Sequence, residues 1–247
     1  MENIISKIKK KLNNIISKKI DTSENYTIHE SCQIPNLNYI YKQYFSFIKN
    51  GTFVEFGAYD GEQNSNTSGL ADIGWTGYYI EPIPEYYKRC AQRHQNNKDI
   101  KTFNLAIGSE EKTIEMNIGG VLSTSMPKIK ELFEQMDWSK GYHLGEKIKV
   151  KQITLDNFLT SNNIKNIDLL AIDIEGQEWD ALKKFDIKKW NPKMVIIELH
   201  DQNDNYLIIR EECNNIVNYF DINQYKIIYK DWTNTIYVQK KLYPIFK

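Results

Sequence analysis

Carboxylates at the ends of apolar runs are the chemistry-bearing residues of this chain. In Phe53-Val-Glu-Phe-Gly-Ala-Tyr-Asp-Gly61, an apolar run carries Glu55 near its end and breaks into a turn built on Gly57 and Gly61. A buried strand there delivers a glycine loop, with Ala58 and Asp60 inside it, to a sheet edge where backbone approaches a ligand closely. Twenty-four residues beyond Gly57, a second run, Tyr78-Tyr79-Ile80, ends in Glu81-Pro82. A carboxylate at that strand tip is placed to grip ribose hydroxyls. A pyrophosphate cofactor wants G-x-G-x-x-G and a bare helix N-terminus, whereas the spacing here is G-x-x-x-G with Glu55 and Asp60 beside it. Carboxylates repel pyrophosphate and suit a ligand carrying a sulfonium and an ammonium. The two segments together point to S-adenosylmethionine.

A third segment, Ile167-Asp-Leu-Leu-Ala-Ile-Asp-Ile-Glu-Gly-Gln-Glu178, runs from a buried strand into Asp173 and Glu175. The next apolar run, Pro192 to His200, brings Glu198, His200 and Asp201 to its end. In a parallel sheet all of these lie beyond the carboxyl ends of strands, where ligands bind. Methyl transfer from a sulfonium is an in-line displacement, and a hydroxyl nucleophile must also lose its proton. Asp173, Glu175 and His200 are the candidates for that step, His200 by its intrinsic pKa. Glu175 has a second reading, as a cap on the helix that starts near Gln177. Asp173, His200 and Asp201 offer oxygen and imidazole ligands to magnesium or manganese. No local spacing motif demands a metal, so the metal-free reading leads and no metal ligand is assigned.

In this order the chain resembles the FkbM-type S-adenosylmethionine-dependent methyltransferases. The resemblance rests on Val54 to Gly61, Ile80-Glu-Pro82, Ala106-Ile-Gly108, Thr154-Leu-Asp-Asn-Phe158, Leu170-Ala-Ile-Asp-Ile-Glu-Gly176 and Val195-Ile-Ile-Glu-Leu199, and covers roughly residues 50–240. It implies a class I methyltransferase fold and, most often, O-methylation. The cofactor residues expected on this basis are Glu55, Gly57, Ala58, Asp60, Gly61, Glu81, Pro82, Ala106 and Asp173. The acceptor expected is a hydroxyl of a saccharide or glycan precursor, with a small secondary metabolite as the alternative.

The elements that must position these residues alternate. Strand-like runs at 52–56, 77–81, 101–105, 167–172 and 193–199 are separated by helical ones at 84–95, 177–185 and 205–219. Such alternation predicts an α/β, doubly wound, mostly parallel sheet. Tyr225 to Lys230 and Thr235 to Lys240 read as an antiparallel pair closing its edge. Residues 1–50 read as a helical N-terminal extension, with Asn36 to Lys49 helical and stopped at Asn50-Gly51. Residues 51–247 form the methyltransferase domain. Within it, about 109–152 exceeds what a crossover needs and reads as a substrate-facing insertion carrying Trp138, Tyr142 and His143.

Composition narrows the partners. Thirty-two basic and 32 acidic residues cancel, which argues against a nucleic-acid footprint. An amino-methyltransferase of nucleic acids would show Asp/Asn-Pro-Pro-Tyr where Asp173-Ile-Glu-Gly176 stands. An NAD-dependent oxidoreductase is disfavoured by the loop spacing, and by its Tyr-x-x-x-Lys pair falling only at Tyr237 and Lys241. A non-catalytic binding module is disfavoured by the intact strand-tip acids. Cys32, Cys90 and Cys213 lack metal spacing and read as free thiols in the cytoplasm. Residues 1–20 hold six lysines against Glu2, a net of +5, with apolar residues in an arc of about 160°. That segment reads either as a helix packed on protein or as a peripheral contact with the inner face of a membrane.

Overall fold

The structure, a computed structural model, describes residues 32–46 and 48–246. The basic segment 1–20 lies outside the described residues. Strands β1 (Thr52–Phe56), β2 (Thr76–Ile80) and β3 (Ile100–Phe103) are followed by β4 (Ala106–Ile107), β5 (Lys112–Asn117) and β6 (Lys147–Ile153). Then come β7 (Leu169–Ile172), β8 (Met194–Glu198), β9 (Tyr225–Lys230) and β10 (Asn234–Gln239). The helices are α1 (Leu37–Phe45), α2 (Ser68–Asp72), α3 (Pro84–Arg93), α4 (Pro127–Gln135), α5 (Leu155–Ser161), α6 (Glu178–Leu182), α7 (Ile187–Trp190) and α8 (Arg210–Ile222).

Seven strands form the main sheet in the order β3-β2-β1-β7-β8-β10-β9. β3, β2, β1, β7 and β8 are parallel, and β10 and β9 pair antiparallel at the edge. This is the doubly wound, mostly parallel sheet with a closing antiparallel pair that alternation predicts. Strand order reverses between β1 and β7, so a crevice opens beyond their carboxyl ends. The central strands read as continuous apolar runs because both faces are covered. Val54, Phe56, Leu170 and Ile172 enter the core on one face, and Phe53, Leu169 and Ala171 the core on the other. Helix α1 packs on the second face, with Phe45 against Trp75 at 5.1 Å between ring centroids.

Several boundaries differ from those read in the sequence, each for a local reason. β3 ends at Phe103 because Asn104 turns and donates to the carbonyls of Glu81 and Pro82, at 2.9 and 2.8 Å. The helical run at 205–219 divides into a 3₁₀ segment, Asp204–Ile209, and α8. Helices α2, α5 and α7, at five, seven and four residues, are too short for a periodic signal. The Thr-Leu-Asp element builds two of them. Thr154 caps α5 by accepting from Asn157 N, and Asp156 accepts from Trp190 Nε1 at 2.7 Å and Asp186 N at 3.1 Å, pinning α7.

Residues 109–152 carry β5, α4 and most of β6, and β5 and β6 join β4 in a separate three-stranded sheet, β4-β6-β5. Among the described residues no helix is long and apolar enough to cross a membrane.

Phe158 holds α5 to the main sheet, lying edge-on to Phe103 of β3 at 5.0 Å and to Phe56 of β1 at 5.9 Å, fully buried. Phe158→Ala should lower unfolding free energy by about 3–5 kcal/mol, measured by urea denaturation. A loss under about 1 kcal/mol would show that this aromatic cluster is not what holds α5 to the sheet.

Candidate active site

Beyond the carboxyl ends of β1, β2, β7 and β8 lies a cavity of about 270 Å³. One wall is apolar, from Leu105, Ala106, Ile107, Met116 and Leu122. The other carries Glu55, Glu81, Asp173, Glu175 and Glu198, and among the described residues no Lys, Arg or His lines the cavity.

Gly57 makes this wall possible. Its φ is +79°, its N–H donates to Ile80 O at 3.0 Å, and a Cβ there would stand 1.6 Å from Asp173 O. No other residue lets the tips of β1 and β7 meet so closely. Ala58 and Tyr59 follow, and Tyr59 N donates to Glu81 Oε2 at 2.9 Å. The second oxygen of Glu81 accepts from Ile83 N at 2.8 Å. A single carboxylate therefore holds both the glycine loop and the start of α3. Each oxygen keeps a further lone pair. Burial pushes the Glu81 pKa up to about 8, against the pull of those two N–H groups.

Glu55 is committed to the protein to a greater degree than its position in the sequence indicates. It accepts from Ser65 Oγ at 2.9 Å, Thr67 Oγ1 at 2.5 Å and Asn66 N at 3.2 Å. It thereby fixes the 65–67 loop, which Tyr41 also grips by donating to Asn66 O. Burial raises its pKa to about 7.

At the far end, one carboxylate oxygen from each of Asp173, Glu175 and Glu198 lies within 4.8 Å of the others. Gln33 Nε2 donates to Asp173 Oδ2 at 2.8 Å. Burial, then the charge of Glu198, raises the Asp173 pKa well above the carboxylate range. Burial raises Glu198 to about 7. The capping role open to Glu175 belongs instead to Glu178, whose Oε1 accepts from Ile174 N at 2.9 Å and Gly176 N at 3.3 Å. Glu175, at φ +54°, is released to the cavity.

Of the residues singled out in the sequence, Glu55, Gly57, Ala58, Glu81, Pro82, Ala106, Asp173 and Glu175 line this cavity. Three do not. Asp60 turns away, its Oδ1 capping the N–H groups of Glu62 and Gln63. Gly61 is a packing position, where a Cβ would meet Cys90 Sγ at 2.8 Å and His94 Nε2 at 2.9 Å. His200 stands behind Glu198, with Nε2 3.1 Å from Glu198 Oε1, and its ring stacks on Tyr206 at 3.7 Å. Burial lowers its pKa, so it orients Glu198 and does not face an acceptor. Asp201 pairs with Lys230. The grouping of Asp173, His200 and Asp201 therefore does not assemble.

Gln33, Asn66, Ser123 and Asn234 also line the cavity. They come from segments remote in sequence and carry no motif. Trp138 reaches it from the insertion, 60% exposed, beside Gly120, Val121 and Leu122.

A doubly wound α/β domain with an acidic cavity at its switch point is the class that fold and site define. The methyltransferase FkbM domain matches residues 55–227. The chain belongs to that family, and S-adenosylmethionine is its cofactor, as the sequence motifs imply. Comparison with curated proteins gives no match. Among solved structures, an O-methyltransferase from Bacillus cereus in complex with SAH is similar at 10% identity and TM-score 0.45, covering 81% of this chain and 78% of that one. A ribosomal protein L11 methylase from Lactobacillus delbrueckii subsp. bulgaricus is similar at 12% identity and TM-score 0.41, covering 81% and 76%. Fibrillarin from Aeropyrum pernix, with natively bound S-adenosyl-L-methionine, is similar at 10% identity and TM-score 0.41, covering 77% and 66%.

The buried acids set a pH dependence. Glu55 and Glu81 have folded pKa values of about 7 and about 8, above the unfolded value of about 4.3. The folded state binds more protons, so their stabilising contribution is whole below the unfolded pKa and is lost as pH rises through 7 and 8. Between pH 7 and about 8.5, above the range where unfolded histidines titrate, the thermal midpoint of ligand-free protein should fall. In Glu81→Gln the fall should be smaller. A midpoint that stays level over this window, in wild type and Glu81→Gln alike, would show these carboxyl groups ionised throughout.

Proposed function

We propose that the protein is an O-methyltransferase that uses S-adenosylmethionine to methylate a hydroxyl of a saccharide or glycan precursor. The observation that carries this reading is the two-walled cavity, apolar on one side and acidic on the other. Its residues fit the donor. Leu105, Ala106, Ile107 and Met116 offer an apolar slot for a base, the free lone pairs of Glu81 suit ribose hydroxyls, and the acidic end suits cationic groups. S-adenosylmethionine supplies an electrophilic methyl group on a sulfonium.

The chain's own residues do the rest. The Gly57 turn and the 65–67 loop hold the donor side in a fixed pose, which is where much of the acceleration of a displacement lies. Asp173 and Glu175 stand where an acceptor hydroxyl loses its proton. Asp173 and Glu175 carry the catalytic assignment, and His200 keeps a positioning role through Glu198. Trp138, exposed at the mouth, and Ser123 favour a sugar-like acceptor, recognised by an aromatic face with hydrogen-bonding groups. The free thiols Cys32, Cys90 and Cys213 suit a reaction in the cytoplasm.

Calorimetric titration tests this reading. S-adenosylhomocysteine should bind, NAD should give no heat, and Glu81→Ala should weaken S-adenosylhomocysteine by about 1.5–3 kcal/mol. Wild-type affinity in that variant would remove Glu81 from the ribose assignment. With sugar acceptors, Trp138→Ala should raise KM at least about fivefold with kcat little changed, the signature of lost uniform binding. If sugars fail across a broad screen while small non-sugar hydroxyls are methylated, the saccharide assignment falls and methyl transfer stands.

A further inference from the structure

The acidic end of the cavity gathers more carboxyl groups than the donor can pair. S-adenosylmethionine brings two positive groups and one carboxylate, against five carboxyl side chains and no basic one on the lining among the described residues. Protein donors satisfy Glu55 and Glu81. Asp173, Glu175 and Glu198 instead turn oxygens toward one another within 4.8 Å.

A second feature points into the same place. Asn234 opens β10 directly opposite Glu198 in the antiparallel register, so the two side chains share a face. It lines the cavity, is only 3% exposed, and its Oδ1 has no hydrogen-bond partner among the described residues. An orphaned buried acceptor opposite one of three clustered carboxylates marks a missing partner.

We propose that Asp173, Glu175 and Glu198, with the side-chain oxygen of Asn234, bind one hard divalent cation, magnesium or manganese, beside the methyl donor. Around an ion with bonds of about 2.1 Å, ligand oxygens stand about 3 Å apart when adjacent and about 4.2 Å when opposite. The 4.8 Å limit on the separations of the three carboxylate oxygens is close to that spacing. An all-oxygen set selects magnesium or manganese over zinc or copper. Two of the ligands are already oriented from behind, Asp173 by Gln33 Nε2 and Glu198 by His200 Nε2. Such support is what a metal-binding carboxylate needs.

This inference rests on the methyltransferase reading for its chemistry and deepens it. Asp173 and Glu175 then act on the acceptor hydroxyl through the cation they hold, which lowers its pKa so that the proton leaves to solvent at neutral pH. The C–O bond then forms as the C–S bond breaks, and that electron pair remains on sulfur.

The test is titration of the full-length protein, stripped with EDTA, by MnCl2 at pH 7.5, with free Mn(II) read by electron paramagnetic resonance. One saturable site per chain, displaced by MgCl2, is expected. Glu175→Gln and Glu198→Gln should each weaken Mn(II) at least about tenfold. Glu81→Gln, on the same cavity but outside the cluster, should change it less than about threefold. Circular dichroism melts establish that each variant is folded. If Glu198→Gln does not fold, Glu175→Gln decides, because Glu175 is half-buried where Glu198 is buried. No saturable Mn(II) site up to about 5 mM overturns the proposal, as does a site that Glu175→Gln leaves intact. Parallel titration with S-adenosylhomocysteine separates the two readings. Donor binding without a Mn(II) site sinks the cation alone, and a Mn(II) site without donor binding sinks the methyltransferase chemistry and keeps the site.

Discussion

The approach of the Gly57 backbone to the Asp173 carbonyl is the constraint on which the rest of the site depends. Two adjacent parallel strands end in loops that turn to opposite sides of the sheet, and the gap between them is the switch-point crevice. Here Asp173 N donates to Phe56 O at 3.1 Å and Gly57 N to Ile80 O at 3.0 Å. The tips of β2, β1 and β7 are thus tied in a row. A side chain at position 57 would collide with that row. Because the row is closed, Glu81, Glu55 and Asp173 project from three neighbouring strand ends into one small volume, although 118 residues separate the first and last of them in the sequence.

Concentrating carboxylates in that volume carries an electrostatic cost, since burial disfavours the charged form. The protein offsets it unevenly. Glu55 and Glu81 receive backbone N–H and hydroxyl donors, which stabilises the ionised form and makes both groups structural as well as ligand-facing. Glu178 is treated the same way by the N–H groups of Ile174 and Gly176. Asp173, Glu175 and Glu198 receive fewer donors; burial raises the pKa of all three most, and the charge of Glu198 adds to it at Asp173 and Glu175. Polar groups that a fold leaves under-satisfied mark the part of the site where the missing partner is not protein.

Much of this architecture is legible in the sequence, for definable reasons. Central strands covered on both faces must be continuous apolar runs, so β1, β2, β7 and β8 and the acids at their tips stand out. The cofactor side follows from the same logic: a carboxylate at a strand tip and a glycine turn are local features. What is illegible is what depends on distant neighbours. Asp60 and Gly61 belong to the same loop as Gly57, but one caps its own turn and the other makes room for Cys90 and His94 of the following segment. His200 has the right intrinsic pKa for a base, yet its Nε2 is taken by Glu198 and Tyr206, which no spacing connects to it, stacks on its ring. Glu175 reads as a cap until Glu178, one turn further on, is seen to supply that bond. Gln33 and Asn234 come from the two ends of the described chain, where no spacing connects them to the strand tips.

The insertion is not an independent appendage, and this bears on how acceptor choice and chemistry are coupled. Its sheet supplies Ile107 and Met116 to the donor-side wall, while Trp138 and Ser123 stand at the mouth. It is also anchored to the acidic loop at two points. Thr124, fully buried, donates its hydroxyl to Glu175 O at 2.9 Å, and Ile129 of α4 presses on the turn where a Cβ at Gly176 would stand 2.7 Å from Ile129 Cγ1. A change of packing in α4 therefore moves the backbone of Glu175 and Gly176 as well as the acceptor surface. Interiors packed at this density transmit such displacements instead of absorbing them. The segment proposed to meet the acceptor is thus mechanically part of the loop that carries Glu175, so a change in one is felt in the other.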